Sequence, residues 1–334
     1  MCKKLSIGIV AYNEESFLPN LLGDMKAQKY PHELIEILLI DSCSTDRTKA
    51  IMEEFRDNSK DFYSIQVLDN SKKIQAAGWN IALQNFTGDV LARIDAHTKV
   101  TSEYSERVMK NINEGEMVVG GIRPAITEGD TSWSNVLLQV ENSLFGSSIN
   151  ISRRSMKKTY VKTMFHAAYR REVLEEVGFF NEELLRTEDN EFHYRINKSG
   201  YKLCYDPTII SYQYIRNNFK KMIKQKFGNG YWIGLTLKIC SGCISSYYLI
   251  PFIFVFAIII TSILAVLGIW QWAAVMWGLY AFFSIGNTII LVIQNGFYLQ
   301  SVIMPFMFLI LHIGYGIGTF RGLFSKSKRG IKWI

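Results

Sequence analysis

Acidic residues are absent from the last 128 positions of this 334-residue chain, because Asp206 is the last Asp or Glu. The same 128 positions carry eleven Lys or Arg and three apolar runs, 247–268, 272–293 and 298–320, that contain no charged side chain. Each run is 22 or 23 residues long, which is enough to cross a hydrocarbon core of about 30 Å. The pattern predicts a soluble front half and a membrane-bound back half.

The charge differs in sign between the two halves. All 30 acidic residues lie in the first 206 positions beside 26 basic ones, a net charge of −4, whereas the remainder carries +11. The basic residues of the back half lie beside apolar runs, which favours anionic lipid headgroups as their partner rather than nucleic acid.

Residues 216–246 are predicted to be an amphipathic interfacial segment. Lysines alternate there with Phe219, Met222, Ile223 and Phe227 at helical spacing, which is typical of a helix on a membrane surface, with a solvated basic helix as the alternative. The positive-inside rule places residues 1–215 in the cytoplasm and predicts a multi-pass protein of the cell membrane. The basic tail, 321–334, conflicts with three crossings, so two or three spans remain open for 247–320.

The five cysteines are odd in number and widely scattered, a usage that fits a reducing compartment better than a disulfide framework. Cys240 and Cys243 form an isolated C-x-x-C pair without a neighbouring His. A metal or redox role is therefore not predicted for them.

In residues 1–120 short β-branched runs alternate with amphipathic stretches, which predicts a parallel sheet covered by helices. The strands are expected at 5–10, 35–40, 64–68, 90–94 and 117–119, and Ser44 is expected to cap a helix that begins near Thr45. Neither G-x-G-x-x-G after the first strand nor G-x-x-x-x-G-K occurs, which argues against dinucleotide and P-loop enzymes.

Polar residues follow three of these strands, at the edge where open sheets bind ligands. The segments are Ala11-Tyr12-Asn13-Glu14, Asp41 to Asp46, and Asp95-Ala96-His97. Asp95 and His97 are two positions apart, so on an extended chain their side chains project to the same side. A carboxylate with an imidazole suits a divalent cation such as Mn²⁺ better than Mg²⁺; a helix cap or a surface pair is the alternative.

A second acidic cluster, Thr187-Glu188-Asp189-Asn190-Glu191, precedes a helical pattern. Simple capping, with Thr187 or Asp189 as the N-cap, would explain acidic residues at a helix N-terminus. A carboxylate held there can also take the proton of an attacking hydroxyl, so both interpretations remain open.

Taken together, these three motifs resemble a family 2 glycosyltransferase of the GT-A fold, specifically the membrane-associated succinoglycan-biosynthesis-type subgroup, over about residues 5–232. The resemblance implies an α/β domain with a Rossmann-like, mostly parallel sheet and helices on both faces, followed by C-terminal transmembrane helices. It also implies inverting, metal-dependent transfer of a sugar from a nucleotide-diphosphate sugar, a UDP-sugar, to a polyprenyl-linked saccharide in cell-surface polysaccharide synthesis.

The resemblance also implies roles for individual residues. Asp41 would accept from the base, Asp95 and His97 would hold Mn²⁺ or Mg²⁺ against the diphosphate, and Asp189, next to Glu188, would be the general base. Further nucleotide-sugar contacts are implied for Ala11, Tyr12, Asn13, Glu14, Lys73 and Gln75. The basic stretch Arg153, Arg154, Lys157, Lys158 and Lys162 is predicted to contact a pyrophosphate or the acceptor, with a solvated loop as the alternative.

Two other functions are weighed against this one. The first is a polyprenyl-phosphate monosaccharide synthase, and the second is a non-catalytic membrane scaffold that keeps a nucleotide-binding fold. Processive relatives carry Q-x-x-R-W, whereas this chain runs from Gln225 to Trp232 without an Arg before the Trp. Addition of one sugar per encounter is therefore predicted, with other polysaccharide-assembly enzymes as further partners.

Overall fold

The computed structural model describes residues 3–146, 156–216 and 218–325. The chain forms two compact units, Met1–Pro124 with Ile151–Gln213, and Ala125–Asn150 with Tyr214–Ile334. The second boundary lies next to the predicted change at residue 215, whereas the sequence does not predict that 125–150 belong to the second unit.

The strands are β1 (Leu5–Ala11), β2 (Ile35–Asp41), β3 (Ser64–Asp69), β4 (Val90–Asp95), β5 (Thr98–Val100), β6 (Val118–Ile122), β7 (Ala125–Ile126), β8 (Thr159–Val161), β9 (Ala168–Arg170) and β10 (Leu203–Tyr214). The helices are α1 (Leu18–Lys26), α2 (Thr48–Asn58), α3 (Gln75–Asn85), α4 (Tyr104–Asn113), α5 (Ser132–Asn142), α6 (Arg171–Val177), α7 (Glu188–Lys198), α8 (Phe219–Ile239), α9 (Ile250–Val266), α10 (Gln271–Asn295) and α11 (Met304–Phe324). All five predicted strands are therefore present.

The sheet of the first unit has the order β3-β2-β1-β4-β9-β6-β10-β5. Strands β1 to β4 pair in parallel, but β9 lies antiparallel to both β4 and β6. The sheet is mixed rather than mostly parallel, because β10 also pairs antiparallel with β5 and β8, and because the three-residue β9 runs against both of its neighbours. A strand that short leaves almost no periodic signal in a sequence.

Two hydrophobic clusters cover the two faces of this sheet. Ile7 and Ile9 of β1 pack with α1, α2 and α4 on one face, whereas Val10 packs with α3, α6 and α7 on the other. All seven residues of β1 are buried, as expected of a strand covered on both faces. The predicted α/β architecture with helices on both faces is confirmed.

The helix after β2 begins later than predicted. Helix α2 starts at Thr48, and its N-terminal flanking residue is Arg47. The hydroxyl of Ser44 instead accepts from the main-chain N–H of Asn13 at 3.0 Å. The prediction that Ser44 caps this helix is therefore wrong, because the neighbouring loop uses its oxygen.

The second unit contains three segments long and apolar enough to cross a membrane by length and composition. They are Ser246–Val266, Gln271–Asn295 and Leu299–Phe324, with mean hydropathy 2.9, 1.7 and 1.7. They correspond to the predicted runs 247–268, 272–293 and 298–320, and they support membrane association. The predicted basic tail beyond Ser325 lies outside the described residues.

Helices α8 and α11 approach each other closely at glycines. A Cβ added to Gly234 would lie 2.2 Å from the carbonyl oxygen of Thr319, and one added to Gly318 would lie 2.2 Å from that of Phe227. Small residues at such crossings allow helix backbones to come into contact. Helix α8 thus buries Tyr231 and Trp232; its location at the membrane surface stays a prediction.

Helix α5 belongs to this second unit. Its start is fixed by a reciprocal capping box between Thr131 and Ser134, and its apolar face packs against Met304, Met307 and Phe308. Glu141 at its end forms a buried ion pair with Lys226, Oε2 to Nζ, at 2.8 Å.

Cys240 and Cys243 form a disulfide across the turn that follows α8. The expectation that the cysteines are reduced is wrong for this pair. The turn brings the two Cα atoms to 5.5 Å, within the range that a disulfide spans. Cys43 and Cys204 are free thiols.

Candidate active site at the carboxyl ends of the strands

The carboxyl ends of β1, β2 and β4 meet at one edge of the sheet. The strand register places Ala11 beside Asp41 and Val10 beside Asp95. The structure thus brings the first three predicted motifs together, since adjacent parallel strands present their last residues at the same edge.

The loop after β1 is joined to the loop after β2 by hydrogen bonds. Asn13, in a left-handed conformation with φ 54°, accepts from the main-chain N–H of Thr45 at 2.8 Å. The N–H of Glu14 donates to the Thr48 hydroxyl at 2.8 Å. Tyr12 projects into solvent from the same loop. A loop held at both ends by such bonds presents a fixed surface to a ligand.

Asp41 is buried, with 2% of its surface exposed. Both of its carboxylate oxygens accept from the N–H of Ser44 at 3.2 Å. Because a carboxylate has about four lone-pair positions, it can accept a further N–H, such as that of a nucleobase.

Asp95 lies between two donors that the structure holds in place. Gln75 Nε2 donates to Oδ1 at 3.1 Å, and His166 Nε2 lies 3.2 Å from Oδ2. Burial disfavours the charge of Asp95, but His166, together with Arg123 and His97, outweighs it and holds the pKa of this carboxyl below its ordinary value. Asp95 is therefore an anion at neutral pH.

His166 is a site residue that the sequence does not predict. It is buried and has a left-handed backbone, φ 47°. Burial lowers its pKa, so the ring is neutral at pH 7. Nε2–H then donates to Asp95, and Nδ1 accepts from the Ser211 hydroxyl at 2.8 Å. A left-handed conformation at a non-glycine residue marks a strained position, which is common at functional sites.

The ring of His97 is oriented by Glu14. Its Nδ1 lies 3.1 Å from Glu14 Oε1, so a carboxylate holds one ring nitrogen, which is the usual arrangement around a metal-binding histidine. Asp95 keeps lone pairs beyond the two that Gln75 and His166 use. Asp95 and His97 therefore fit a divalent cation, although no group of three His, Cys, Asp or Glu is arranged for a metal within residues 3–146, 156–216 and 218–325.

The second acidic cluster opens helix α7. The Thr187 side chain makes no capping hydrogen bond, so that part of the capping interpretation is wrong. Asp189 Oδ1 accepts from the N–H of Asn190 at 2.8 Å. Burial raises the pKa of Asp189; burial, and then the charge of Asp189, raise the pKa of Glu188 to about 7. Both carboxyls thus hold a proton more readily than ordinary acids.

Arg93 is a second residue that sequence reasoning missed. It is 8% exposed, and its Nη2 lies 3.4 Å from Glu188 Oε1. Its guanidinium stacks on the rings of Trp79 and Phe180, at 4.5 and 4.9 Å. The available signal was a charged residue inside the otherwise apolar buried run that ends at Asp95, since a buried arginine needs a partner.

The remaining predicted residues are Lys73 and the basic stretch of 153–162. Lys73 lies on the surface just before α3, with φ 56°. Lys158 pairs with Glu114 and Glu116 at 3.4 and 3.6 Å, which favours the solvated-loop alternative for that lysine. Arg153 and Arg154 lie outside the described residues.

The chain is similar in sequence to known glycosyltransferases. The sequence profile of Glycosyl transferase family 2 matches residues 6–178. One relative is the dolichyl N-acetyl-alpha-D-glucosaminyl phosphate 3-beta-D-2,3-diacetamido-2,3-dideoxy-beta-D-glucuronosyltransferase of Methanococcus voltae. The two sequences are 28% identical over 335 residues, an alignment that covers 97% of this chain and 98% of that protein. This chain is 27% identical to the succinoglycan biosynthesis protein ExoA of Rhizobium meliloti (strain 1021), over 67% of each chain.

A solved structure has the same fold over almost the full length. The mannosyltransferase PcManGT from Pyrobaculum calidifontis, in complex with GDP-Man and Mn²⁺, aligns with a TM-score of 0.65 at 16% identity. The alignment covers 98% of this chain and 89% of that one. At this identity the likeness shows a shared fold.

Proposed function

Since the chain belongs to glycosyl transferase family 2, we propose that it is a membrane-anchored enzyme that transfers a sugar from a nucleotide-diphosphate sugar to a lipid-linked acceptor. The observation that carries this proposal is the position of Asp41 and Asp95 at the ends of the two strands that flank β1, in a chain that also has three helices apolar enough to span a membrane. The name of the Methanococcus voltae relative, which matches along 97% of this chain, specifies a dolichyl sugar phosphate as acceptor.

The donor is proposed to be a UDP-sugar whose base is recognised by Asp41. The buried carboxylate accepts from Ser44 and has capacity for one more N–H. The loop of Tyr12, Asn13 and Glu14 borders the nucleotide, held by its bonds to the next loop.

A divalent cation, Mn²⁺ or Mg²⁺, is proposed to be held by Asp95 and His97. When bound, such a cation neutralises the charge that develops on the departing nucleoside diphosphate. Gln75 and His166 fix the Asp95 carboxylate, and Glu14 fixes the His97 ring, so both side chains are preorganised.

Asp189 is proposed to be the general base. It removes the proton from the acceptor hydroxyl, the hydroxyl oxygen forms a bond to the anomeric carbon, and the bond from that carbon to the diphosphate oxygen breaks. Attack opposite the leaving group inverts the configuration. The raised pKa of Asp189, caused by burial, brings its basicity closer to the operating pH, which favours proton transfer.

The second unit is proposed to hold the catalytic domain on the cytoplasmic face of the cell membrane, by two or three crossings. Three segments of the second unit are apolar enough to span the bilayer, so a lipid-linked acceptor arrives where the enzyme is anchored. Other enzymes of the same glycan assembly are proposed partners.

A binding screen tests the donor and the cation. UDP-N-acetylglucosamine and GDP-mannose are titrated into the full chain in detergent, with and without Mn²⁺, while thermal unfolding is monitored, because a ligand that binds only the folded state raises its stability. We expect stabilisation that requires Mn²⁺ and is lost in Asp95→Ala. Stabilisation of Asp95→Ala equal to that of the wild type would contradict the cation site.

Lipid extraction after incubation with labelled donor tests the acceptor. We expect the label on a lipid that already carries a sugar phosphate. A labelled lipid monophosphate monosaccharide would instead identify a polyprenyl-phosphate monosaccharide synthase, and the absence of any transfer would favour a non-catalytic scaffold.

A further inference from the structure

Strand β4 presents two charged residues to the same side of the sheet. Arg93 and Asp95 are two positions apart on β4, and alternate residues of a strand share a face. Asp95 is bound by Gln75, while Arg93 stacks on Trp79. Gln75 and Trp79 are four positions apart on α3, a spacing that places them on one helix face. One strand and one helix therefore make two successive contacts.

The second of these contacts extends to the acidic turn of α7. The Arg93 guanidinium lies over the rings of Trp79 and Phe180 and reaches Glu188, the residue before Asp189. Phe180 is itself held by Asn80, whose side chain accepts from its N–H at 2.7 Å and donates to its carbonyl oxygen at 3.0 Å. Arg93 thus contacts two aromatic rings and one carboxylate.

We propose that Arg93 is a positioning residue of the transfer reaction, which ties the first turn of α7, with Asp189, to the strand that ends in Asp95. This inference rests on the proposed role of Asp189. Through this tie the side chain that takes the proton and the side chain that faces the leaving group belong to one rigid assembly. Arg93 touches Glu188 rather than substrate, so it acts on the reaction through the helix.

Burial of the Arg93 and Glu188 pair costs free energy of folding, which argues against a role in stability alone. Arg93 Nε and Glu188 Oε2 are buried, and neither has a hydrogen-bond partner among the described residues. Buried ion pairs with incomplete hydrogen bonding are often less stabilising than apolar side chains of the same size. An apolar residue at position 93 could pack against the two rings, yet it would supply no positive charge to α7.

Among the charged and titratable groups around the first turn of α7, Arg93 is the main positive one. Burial raises the pKa of Asp189, and Arg93 opposes that effect more than Arg123 does, while Asp95 reinforces it. Burial lowers the pKa of His193 to about 3 and raises the pKa of Tyr169, so both are neutral at pH 7. Loss of the Arg93 charge should therefore make both carboxyls of the turn weaker acids.

Two variants and a matched control test the proposal in the purified full chain. Arg93→Met keeps an unbranched apolar stem without the charge, and Arg93→Lys keeps the charge without the planar fork. Arg171→Met is the control, because Arg171 also stacks on an aromatic ring, Phe86 at 4.1 Å, and donates to the Gly88 carbonyl at 2.6 Å. Gly88 precedes β4, at the opposite end of that strand from Asp95.

The first readout needs no donor. A carboxyl whose pKa is raised by folding costs stability as the pH rises, so the difference in Tm between wild type and Arg93→Met should widen from pH 4.5 to pH 8. Arg171→Met should lower Tm by the same amount at every pH. A pH-independent loss in Arg93→Met, like that of the control, would overturn the proposal.

The second readout uses the nucleotide sugar selected by the binding screen. In Arg93→Met the acid limb of kcat/KM should move up by about one pH unit or more, because removal of a nearby opposite charge shifts a carboxyl by that amount. KM for the donor should change little while kcat falls. Arg93→Lys should keep the acid limb of kcat/KM at its wild-type pH but with a reduced kcat. If Arg93→Met does not fold, an acid limb that is shifted in Arg93→Lys overturns the proposal.

Asp189→Asn, measured in the same series, separates the two hypotheses. Full transfer by Asp189→Asn would contradict the general base and leave the pH-dependent Tm difference of Arg93→Met in place. An inactive Asp189→Asn together with an unshifted Arg93→Met would contradict only the positioning role.

Discussion

Replacement of Glu188 by Gln should stabilise the protein at neutral and alkaline pH but not at acidic pH. Glu188 is only 3% exposed, and its pKa is raised to about 7 from 4.5 by burial and then by the charge of Asp189. A carboxyl with a raised folded-state pKa favours folding below its unfolded value, and that contribution is lost as the pH rises through the folded value. Gln has no charge to lose, so it removes this dependence.

The size of the effect follows from the shift. A difference of about 2.5 pH units corresponds to about 3 kcal/mol between pH 4.5 and pH 8 at about 1.4 kcal/mol per unit. For a domain of this size that is a Tm difference of about 5 to 10 °C. Gln keeps an oxygen that can accept from Arg93, so the hydrogen bond at 3.4 Å is preserved.

The assay is thermal unfolding of the full chain in detergent at pH values from 4.5 to 8. The Tm of Glu188→Gln minus that of the wild type should increase with pH. Glu175→Gln is the matched control, since the Glu175 side chain is 67% exposed and removal of a solvated charge changes stability little. A Tm difference that stays constant or decreases as the pH rises would contradict the reasoning that Glu188 is a buried carboxylate whose charge is not fully compensated.

Two further predictions concern packing. Gly234→Ala should lower Tm, because its Cβ would lie 2.2 Å from the Thr319 carbonyl oxygen and overpacking costs about 1–3 kcal/mol. The control Gly286→Ala, with no atom within 4 Å of the added Cβ, should keep or raise Tm. Equal losses of Tm in both variants would contradict the close contact between α8 and α11. Asn80→Ala should lower the free energy of unfolding by about 1–3 kcal/mol, because it leaves the buried N–H and carbonyl of Phe180 unpaired, and it should also reduce kcat. An unchanged Tm would show that Asn80 does not hold the loop that contains Phe180.

The parallel part of the fold could be predicted because its signals are local. Strands β1 to β4 are runs of β-branched and apolar residues, and their polar ends lie at one edge by the geometry of parallel sheets. That is why polar residues such as Asp41 and Asp95 were expected at one edge of the sheet, and both lie at strand ends beside the end of β1. The three apolar runs could also be predicted from the sequence, since they depend only on length and composition.

The rest depends on contacts between residues far apart in the chain. Arg93 meets Glu188 across 95 positions, and His166 meets Ser211 across 45; neither pair has a spacing that a pattern could reveal. The short antiparallel β9 was not predicted for the same reason. The disulfide of Cys240 and Cys243 joins residues only three positions apart, and their spacing alone does not show whether the bond forms. The Thr131 and Ser134 capping box was a local signal at the start of α5 that was available and unused.

Donor binding and sugar transfer by Asp189→Asn, measured side by side, test the central claim most directly. Binding of the selected nucleotide sugar in Mn²⁺ is measured by the ligand-induced rise in Tm, and transfer by the label recovered in extracted lipid. We predict that Asp189→Asn binds the donor as the wild type does, while transfer falls by about 10²- to 10⁴-fold, the usual contribution of a general base. Transfer at the wild-type rate, with donor binding intact, would contradict the claim that Asp189 removes the acceptor proton.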